Sequence, residues 1–251
     1  MWPRSEPRSP PEVLIDVHSH YMPNALARAL ERAAHLPEGE VAAAYEETEA
    51  GCSRRLANKN AAMILATLPF YLAHEKELGL VPHLSAVPQG GEATERWTLV
   101  TGKNHPPSLE GYTVFSSAGF SKRFVRAAAP KLPARIDVQP AAAILSALRR
   151  AANGEKVAVL LDGAQFASMS TLPFASSLAV VETSQPMPVA LVATVDKRID
   201  ERRWRELETA FLRLTEDRSA RNALDGVRMA GFVPLDEKAL AAARTAWRRA
   251  R

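Results

Sequence analysis

The chain has 251 residues, a formal net charge of +4 and a single cysteine, Cys52. Its length allows one or two domains with a full hydrophobic core, and 47% hydrophobic with 24% charged residues excludes a disordered chain. One cysteine excludes both an intramolecular disulfide framework and a cysteine-rich zinc site.

Apolar runs alternate with helical patterns along the chain, which predicts an α/β architecture with mostly parallel sheets. The predicted strands are 13–17, 41–47, 61–66, 80–87, 96–101, 112–116, 135–138, 156–161, 178–182 and 189–195. The predicted helices are 24–34, 53–57, 69–76, 120–128, 141–152, one beginning near 163, 201–214, 218–224 and 236–249. The chain after residue 195 is predicted to be helical, with 231–234 as a connection.

Two of these helices carry an apolar stripe that predicts their buried face. The stripes consist of Ile144, Leu145, Leu148 and Ala152 in the first helix and Trp204, Leu207, Phe211 and Leu214 in the second. Two segments that contain prolines, 103–111 and 186–188, are predicted to be linkers around a compact middle block. This layout predicts two lobes joined by two crossovers, with a cleft between them as the favoured ligand site.

The two ends of the chain carry no targeting or membrane signal. Residues 1–11 contain prolines and charges but no apolar core segment, so they predict a disordered leader rather than a signal peptide. No run of 18 apolar residues predicts a membrane span. The arginines at 244–251 are interpreted as the basic last turn of a helix, so nucleic acid is not an expected partner.

The segment 15–23, IDVHSHYMP, suggests a metal site. A strand that ends in His18-x-His20 puts both imidazoles on one side, where they could bind a divalent metal and activate water. The string resembles the opening of the amidohydrolase superfamily, which makes a metal-dependent hydrolase or decarboxylase the alternative function. The remaining histidines and the chain length do not complete that constellation or its (β/α)₈ barrel.

Three predicted strand-to-helix turns carry small or polar residues that suit an anionic ligand. Ligands of open α/β sheets bind at the carboxyl ends of strands, where helix N-termini offer unpaired N–H groups. Ser117 is equally well explained as a helix N-cap. The candidate ligand-binding residues are Thr67, Leu68, Pro69, Ser116, Ser117, Gly119, Asp162 and Gln165.

Catalytic motifs are not found in the sequence. Ser116 and Ser117 have no Gly-x-Ser-x-Gly setting, and no glycine-rich phosphate loop ends in Gly-Lys-Ser/Thr. Cys52 has no neighbour that would lower the pKa of its thiol. We therefore expect a protein that is not an enzyme and that uses no cofactor.

Six stretches from residue 65 onward resemble the phosphate/phosphonate-binding proteins of ABC transporters in order and spacing. They are LATLPFYLAHEKELGLVP (65–82), ATERWTLVTGKN (93–104), SLEGYTVFSSAGF (108–120), ALRRAANGEKVAVLLDGAQ (147–165), PVALVATVDKRI (188–199) and GFVPLD (231–236). The resemblance implies a class II periplasmic-binding fold with lobe one at 12–98 and 190–251 and lobe two at 99–189.

The resemblance implies a monomeric solute-binding protein that closes by hinge motion around a small, phosphate- or phosphonate-like anion. An ABC permease is its expected partner and the periplasm its expected location, whereas a cytoplasmic location follows if Met1 is the true start. An amine on a phosphonate ligand would need an acidic partner, for which Asp162 is the candidate. A lobe that has lost its ligand is a third interpretation of the same sequence.

Overall fold

The computed structural model describes residues 12–16, 23–46, 48–58, 61–141 and 143–250. The predicted leader, 1–11, and the candidate metal ligands His18 and His20 lie outside the described residues. Internal contacts divide the chain into two compact units, residues 1–93 with 189–235 and residues 94–188 with 236–251. The chain therefore passes between the units at 93/94, 188/189 and 235/236.

The first unit has one mixed sheet with helices that pack on it. Its strands are β1 (Glu12–Asp16), β2 (Ala42–Tyr45), β3 (Ala61–Thr67), β4 (Leu80–Pro88), β12 (Ala190–Val195) and β13 (Met229–Pro234). Its helices are α1 (Pro23–Ala33), α2 (Glu49–Ala57), α3 (Leu68–His74), α7 (Glu201–Arg213) and α8 (Arg221–Gly226). The sheet order is β13-β4-β12-β3-β1-β2.

The second unit also has a mixed sheet, and its labels continue the chain order. Its strands are β5 (Thr94–Glu95), β6 (Thr98–Gly102), β7 (Thr113–Ser116), β8 (Asp137–Pro140), β9 (Val157–Leu161), β10 (Leu178–Thr183) and β11 (Met187–Pro188). Its helices are α4 (Lys122–Ala128), α5 (Ile144–Ala152), α6 (Gly163–Met169) and α9 (Glu237–Arg249). The main sheet runs β10-β6-β9-β7-β8, and β5 pairs with β11.

The prediction of mostly parallel sheets is wrong. In the first unit β1 is parallel to β2 and β3, but β12 lies between β3 and β4 and is antiparallel to both. In the second unit β7 is parallel to β8 and β9, but β6 is antiparallel to β9 and β10. In the first unit the reversed strand β12 comes from a distant part of the chain, whereas in the second unit the reversed strand β6 directly precedes β7. Period-two or apolar patterns carry no information about strand direction.

The chain after residue 195 is not entirely helical, because Met229–Pro234 forms β13 against β4. The segment is too short for an alternation of apolar and polar residues to identify it as a strand. It forms a strand because the edge of β4 is open for pairing. Other elements differ by a few residues at their ends. The largest difference is α2, which begins at Glu49 because the Thr48 side chain accepts the Gly51 N–H and caps the helix.

Each unit has its own hydrophobic core. The predicted stripe of α7 is buried, and Trp204, Leu207, Phe211 and Leu214 all belong to the core of the first unit. The predicted face of α5 is only partly right. Its buried residues are Ala147, Leu148 and Ala151, whereas Leu145 is 50% exposed. The core packs against the face that carries Ala147, Leu148 and Ala151, and Ile144 and Ala152 lie at its edge, partly buried against the same core.

The division by contacts differs from the lobe boundaries expected from the sequence. The segment 103–111, predicted to be a linker, lies inside the second unit, where the Lys103 N–H donates to the Ser177 carbonyl at 2.8 Å. The first passage is instead at 93/94, beside the short pairing of β5 with β11. Residues 236–251 belong with the second unit because α9 packs on α4 and β11.

Arg198 joins the end of α2 to the start of β3 in the first unit. Its Nη1 donates to the carbonyls of Leu56, Asn58 and Ala61 at 2.5, 2.7 and 3.0 Å. We expect Arg198→Ala to lower the free energy of unfolding in urea by about 1–2 kcal/mol, because three carbonyls lose a charged donor.

Arg202→Ala is the matched control for this substitution, since the Arg202 side chain is 91% exposed and, among the described residues, makes one ion pair, with Glu206 at 3.2 Å. Its expected cost is below about 0.5 kcal/mol. Equal losses for the two variants would contradict the structural role of Arg198.

Candidate functional site

The second unit brings two of the three predicted turns to one edge of its sheet. Strands β7 and β9 are parallel neighbours, with Ser116 opposite Leu160. Their carboxyl ends therefore meet at the same edge, and the turn 117–120 and the segment 162–165 follow them there. The helices that come next, α4 and α6, have only seven residues each. Such two-turn helices offer N–H groups but a limited dipole.

Ser116 and Gly119 are used by the protein itself. The Ser116 hydroxyl is fully buried, donates to the Leu160 carbonyl at 3.0 Å and accepts from the Ala118 N–H at 3.2 Å. A Cβ on Gly119 would lie 2.3 Å from the Gln139 carbonyl oxygen. Gly119 is one of the candidate ligand-binding residues, but what lies against it here is the backbone of β8. Both residues shape the sheet edge rather than offer side chains to a ligand.

Ser117 is half-buried and is not the N-cap that it resembles in the sequence. The cap of α4 is Ser121, whose hydroxyl accepts the Phe124 N–H at 3.3 Å. The helix begins two residues later than predicted because 117–120 form a turn. Within the described part of the chain, the Ser117 hydroxyl makes no hydrogen bond. It is therefore available to a ligand.

Asp162 and Gln165 form a reciprocal capping box at the start of α6. The Asp162 Oδ1 accepts the Gln165 N–H at 2.8 Å, and the Gln165 Oε1 accepts the Asp162 N–H at 3.2 Å. The sequence signal for such a box is an acceptor followed three residues later by Glu or Gln. This pair holds the segment after β9 in one conformation, and each side chain keeps further polar capacity.

Glu95 is the residue of this site that sequence reasoning missed. Its Oε2 accepts the Gly163 N–H at 2.9 Å, so β5 contributes a second carboxylate beside Asp162. Local sequence gives no signal for it, because the segment ATERW is ordinary in composition. The contact forms because the folded second unit places the start of α6 beside β5, which is distant from it in sequence.

Burial dominates the electrostatics of this carboxylate pair. Desolvation raises the pKa of Glu95 to about 7, helped by the charge of Asp162 and opposed by hydrogen bonds from Gly163 and the Trp97 side chain. Burial also raises the pKa of Asp162, against hydrogen bonds from Gln165 and Ala164. Near neutral pH the pair therefore shares less than its full negative charge, which reduces its repulsion of an anion.

The third predicted turn lies in the first unit, at the end of β3. Thr67 is the residue before α3 and has extended backbone angles, and its side chain does not cap the helix. The Leu68 N–H faces the Val189 carbonyl at 3.4 Å, and Leu68 and Pro69 are buried. Pro69 stands in the first turn of the helix, as predicted. Leu68 and Pro69 can contribute backbone and shape here, but no polar side chain.

The histidines of the described chain do not assemble a metal centre. Across residues 12–16, 23–46, 48–58, 61–141 and 143–250, no three His, Cys, Asp or Glu side chains are grouped to hold an ion. His83 packs on Trp204 with ring centroids 4.1 Å apart and has Thr194 Oγ1 at 2.9 Å from its Nε2. Burial lowers the pKa of His83, which is typical of a neutral core histidine.

None of the helices in the described residues is long and apolar enough to cross a membrane. No protein-family model matches the sequence, and no curated protein sequence matches it either. Solved structures do match along nearly the whole chain.

XAC2383 from Xanthomonas citri has been solved with chloride and with ATP. The chloride-bound structure is 17% identical, with a TM-score of 0.74 over 97% of this chain and 99% of that chain. The ATP-bound structure is 16% identical, with the same TM-score over 97% and 98%.

Two further similar structures are of proteins associated with phosphonates. A binding-protein component of an ABC phosphonate transporter from Pseudomonas aeruginosa is 13% identical, with a TM-score of 0.61 over 95% of this chain and 85% of that one. PhnD1 from Prochlorococcus marinus, solved with methylphosphonate, is 12% identical, with a TM-score of 0.59 over 97% and 98%. The chain thus has the class II fold of the two-lobed periplasmic binding proteins, which confirms the predicted fold class.

Proposed function

We propose that this chain is a solute-binding protein of an ABC-type uptake system and takes a small phosphate- or phosphonate-like anion. The observation that carries the proposal is the likeness of fold, along 95% of this chain, to the binding-protein component of an ABC phosphonate transporter. The ATP and methylphosphonate in two of the similar structures favour a ligand with a phosphoryl or phosphonyl group. An ABC permease as partner and a periplasmic location belong to the same proposal.

The proposed ligand contacts are the same candidate residues that the sequence predicts, and the local geometry suggests a role for each. Ser117 offers a hydroxyl without an internal partner among the described residues, and Thr67 offers a hydroxyl in the first unit. Gln165 and Asp162 offer polar groups at the start of α6, and an acidic group suits an amine on the ligand. Ser116, Gly119, Leu68 and Pro69 act through the shape of the backbone that they hold.

A thermal-shift titration of the full chain tests the ligand class. We expect inorganic phosphate, methylphosphonate or ATP to raise the melting temperature, since a ligand at 100 times its Kd adds about 2.7 kcal/mol to the stability of the native state. Ser117→Ala should weaken this response. Ser108→Ala, an exposed serine of the same unit, should leave it unchanged.

Two outcomes of the titration would contradict the proposal. A folded protein whose melting temperature does not respond to any of the three anions contradicts the ligand class. A response to arginine alone contradicts the anion while it retains a binding role. Hinge closure is a separate part of the proposal, and a radius of gyration in solution scattering that is unchanged by a saturating anion would contradict it.

A further inference from the structure

A cavity of about 790 Å³ opens in the second unit, away from the residues that were predicted to bind the solute. Its walls are α4 with the chain that follows it, the end of β10 with the segment before β11, and the last three turns of α9. This volume lies in the range of about 300–1,000 Å³ that is typical of small-molecule sites. The cavity is therefore large enough for a ligand rather than for ordered water alone.

Small side chains on two facing helices leave this space open. The alanines of the two helices that line it are Ala127 and Ala128 of α4 and Ala241, Ala242 and Ala246 of α9. Arg123 of α4 links this helix to the end of α9. Its Nε donates to the carbonyls of Trp247 and Ala250 at 3.1 and 2.9 Å, and its guanidinium lies 4.4 Å from the centre of the Trp247 ring.

The charged side chains that line the cavity carry a net positive charge. Arg126 and Arg249 line it, and the one carboxylate in the lining, Glu182, accepts the Lys131 N–H at 3.0 Å. Arg126 is oriented by a hydrogen bond from its Nη2 to the Ala134 carbonyl. Two guanidiniums against one carboxylate that is already hydrogen-bonded favour an anionic group, and the planar guanidinium matches a carboxylate in two-point geometry.

We propose that this cavity binds a small amphipathic carboxylate, with its hydrocarbon part against the alanine walls and its carboxylate held by Arg126 and Arg249. The alanine walls and Met187 supply apolar surface, which a phosphate-like solute would not use. The affinity is therefore expected to rise about fourfold for each added methylene group until the cavity is filled. This binding site is independent of the solute proposed above.

Isothermal titration of the full chain with hexanoate, octanoate and decanoate tests the site, with decanol as the uncharged comparison. We expect decanoate to bind most tightly of the three acids and at least about tenfold more tightly than decanol, because the alcohol lacks the charge that the arginines hold. Inorganic phosphate should not displace decanoate, which separates this site from the solute site. Equal affinity for decanoate and decanol, or no binding of decanoate, would overturn the proposal.

Three variants locate the ligand within the fold. Ala246→Phe should weaken decanoate binding by occupying part of the apolar space between the two helices, and Arg126→Gln should weaken decanoate while leaving decanol unchanged. Arg248→Gln is the control on α9, since Arg248 is exposed and is not part of the cavity lining. If Ala246→Phe does not fold by circular dichroism, the smaller Ala246→Leu replaces it. Unchanged decanoate affinity in a folded cavity-filling variant would refute the location.

Discussion

Replacing Glu95 by glutamine is expected to stabilise the protein at pH 8 by up to about 3 kcal/mol and to change its stability little at pH 4. Burial raises the pKa of the Glu95 carboxyl from its ordinary 4.5 to about 7 in the native state. The native state therefore prefers the protonated acid. Its contribution to stability is fully present below pH 4.5 and is lost as the pH rises through about 7.

Glutamine resembles the protonated acid in shape and has no charge to desolvate. Its Oε1 can still accept the Gly163 N–H that the wild-type Oε2 accepts at 2.9 Å. The loss of stability that wild type undergoes between pH 4.5 and pH 7 should therefore be absent from the variant.

Urea unfolding of wild type and variant at pH 5, 6, 7 and 8 measures this difference directly. Glu92→Gln serves as the control, since Glu92 is exposed and lies three residues earlier in the chain. We expect the difference between Glu95→Gln and wild type to grow with pH and the difference for Glu92→Gln to stay flat. A flat difference for Glu95→Gln would show that the carboxyl is solvated, and it would remove the electrostatic argument for the site.

Replacing Gly119 by alanine is expected to lower the free energy of unfolding by about 2–4 kcal/mol, with no ligand present. The added Cβ would lie 2.3 Å from the Gln139 carbonyl oxygen and 2.6 Å from the Pro140 Cα. Both neighbours are backbone atoms of β8, so a rotamer change cannot relieve the overlap. The turn or the strand must move, which strains the pairing of Ser116 with Pro140.

Ser117→Ala is the matched control within the same turn. It removes a hydroxyl that has no partner among the described residues and adds no atom, so its expected effect on stability is below about 0.5 kcal/mol. Thermal and urea unfolding of the two variants should separate clearly. A Gly119→Ala protein as stable as wild type would mean that β8 does not press on this turn, and the glycine would again be free for a ligand.

The sequence by itself determined the burial pattern, the helix signals and the fold class. Runs such as 61–66 and 157–161 are buried strands, the α7 stripe is core, and six stretches predicted the two-lobed binding-protein fold that the similar structures confirm. The burial pattern and the helix signals can be predicted because they depend on residues close together in sequence. The fold class can be predicted because six stretches match a known family in their order and spacing.

The tertiary structure alone decided strand direction and several close contacts. It decided that β12 enters the sheet antiparallel between β3 and β4, and that α9 packs with the second unit. It also decided that Glu95 contacts Gly163 and that β8 presses on Gly119. Each of these depends on segments that are distant in sequence. The spacing of apolar residues indicates which side chains are buried, but it does not specify which distant strand or helix buries them.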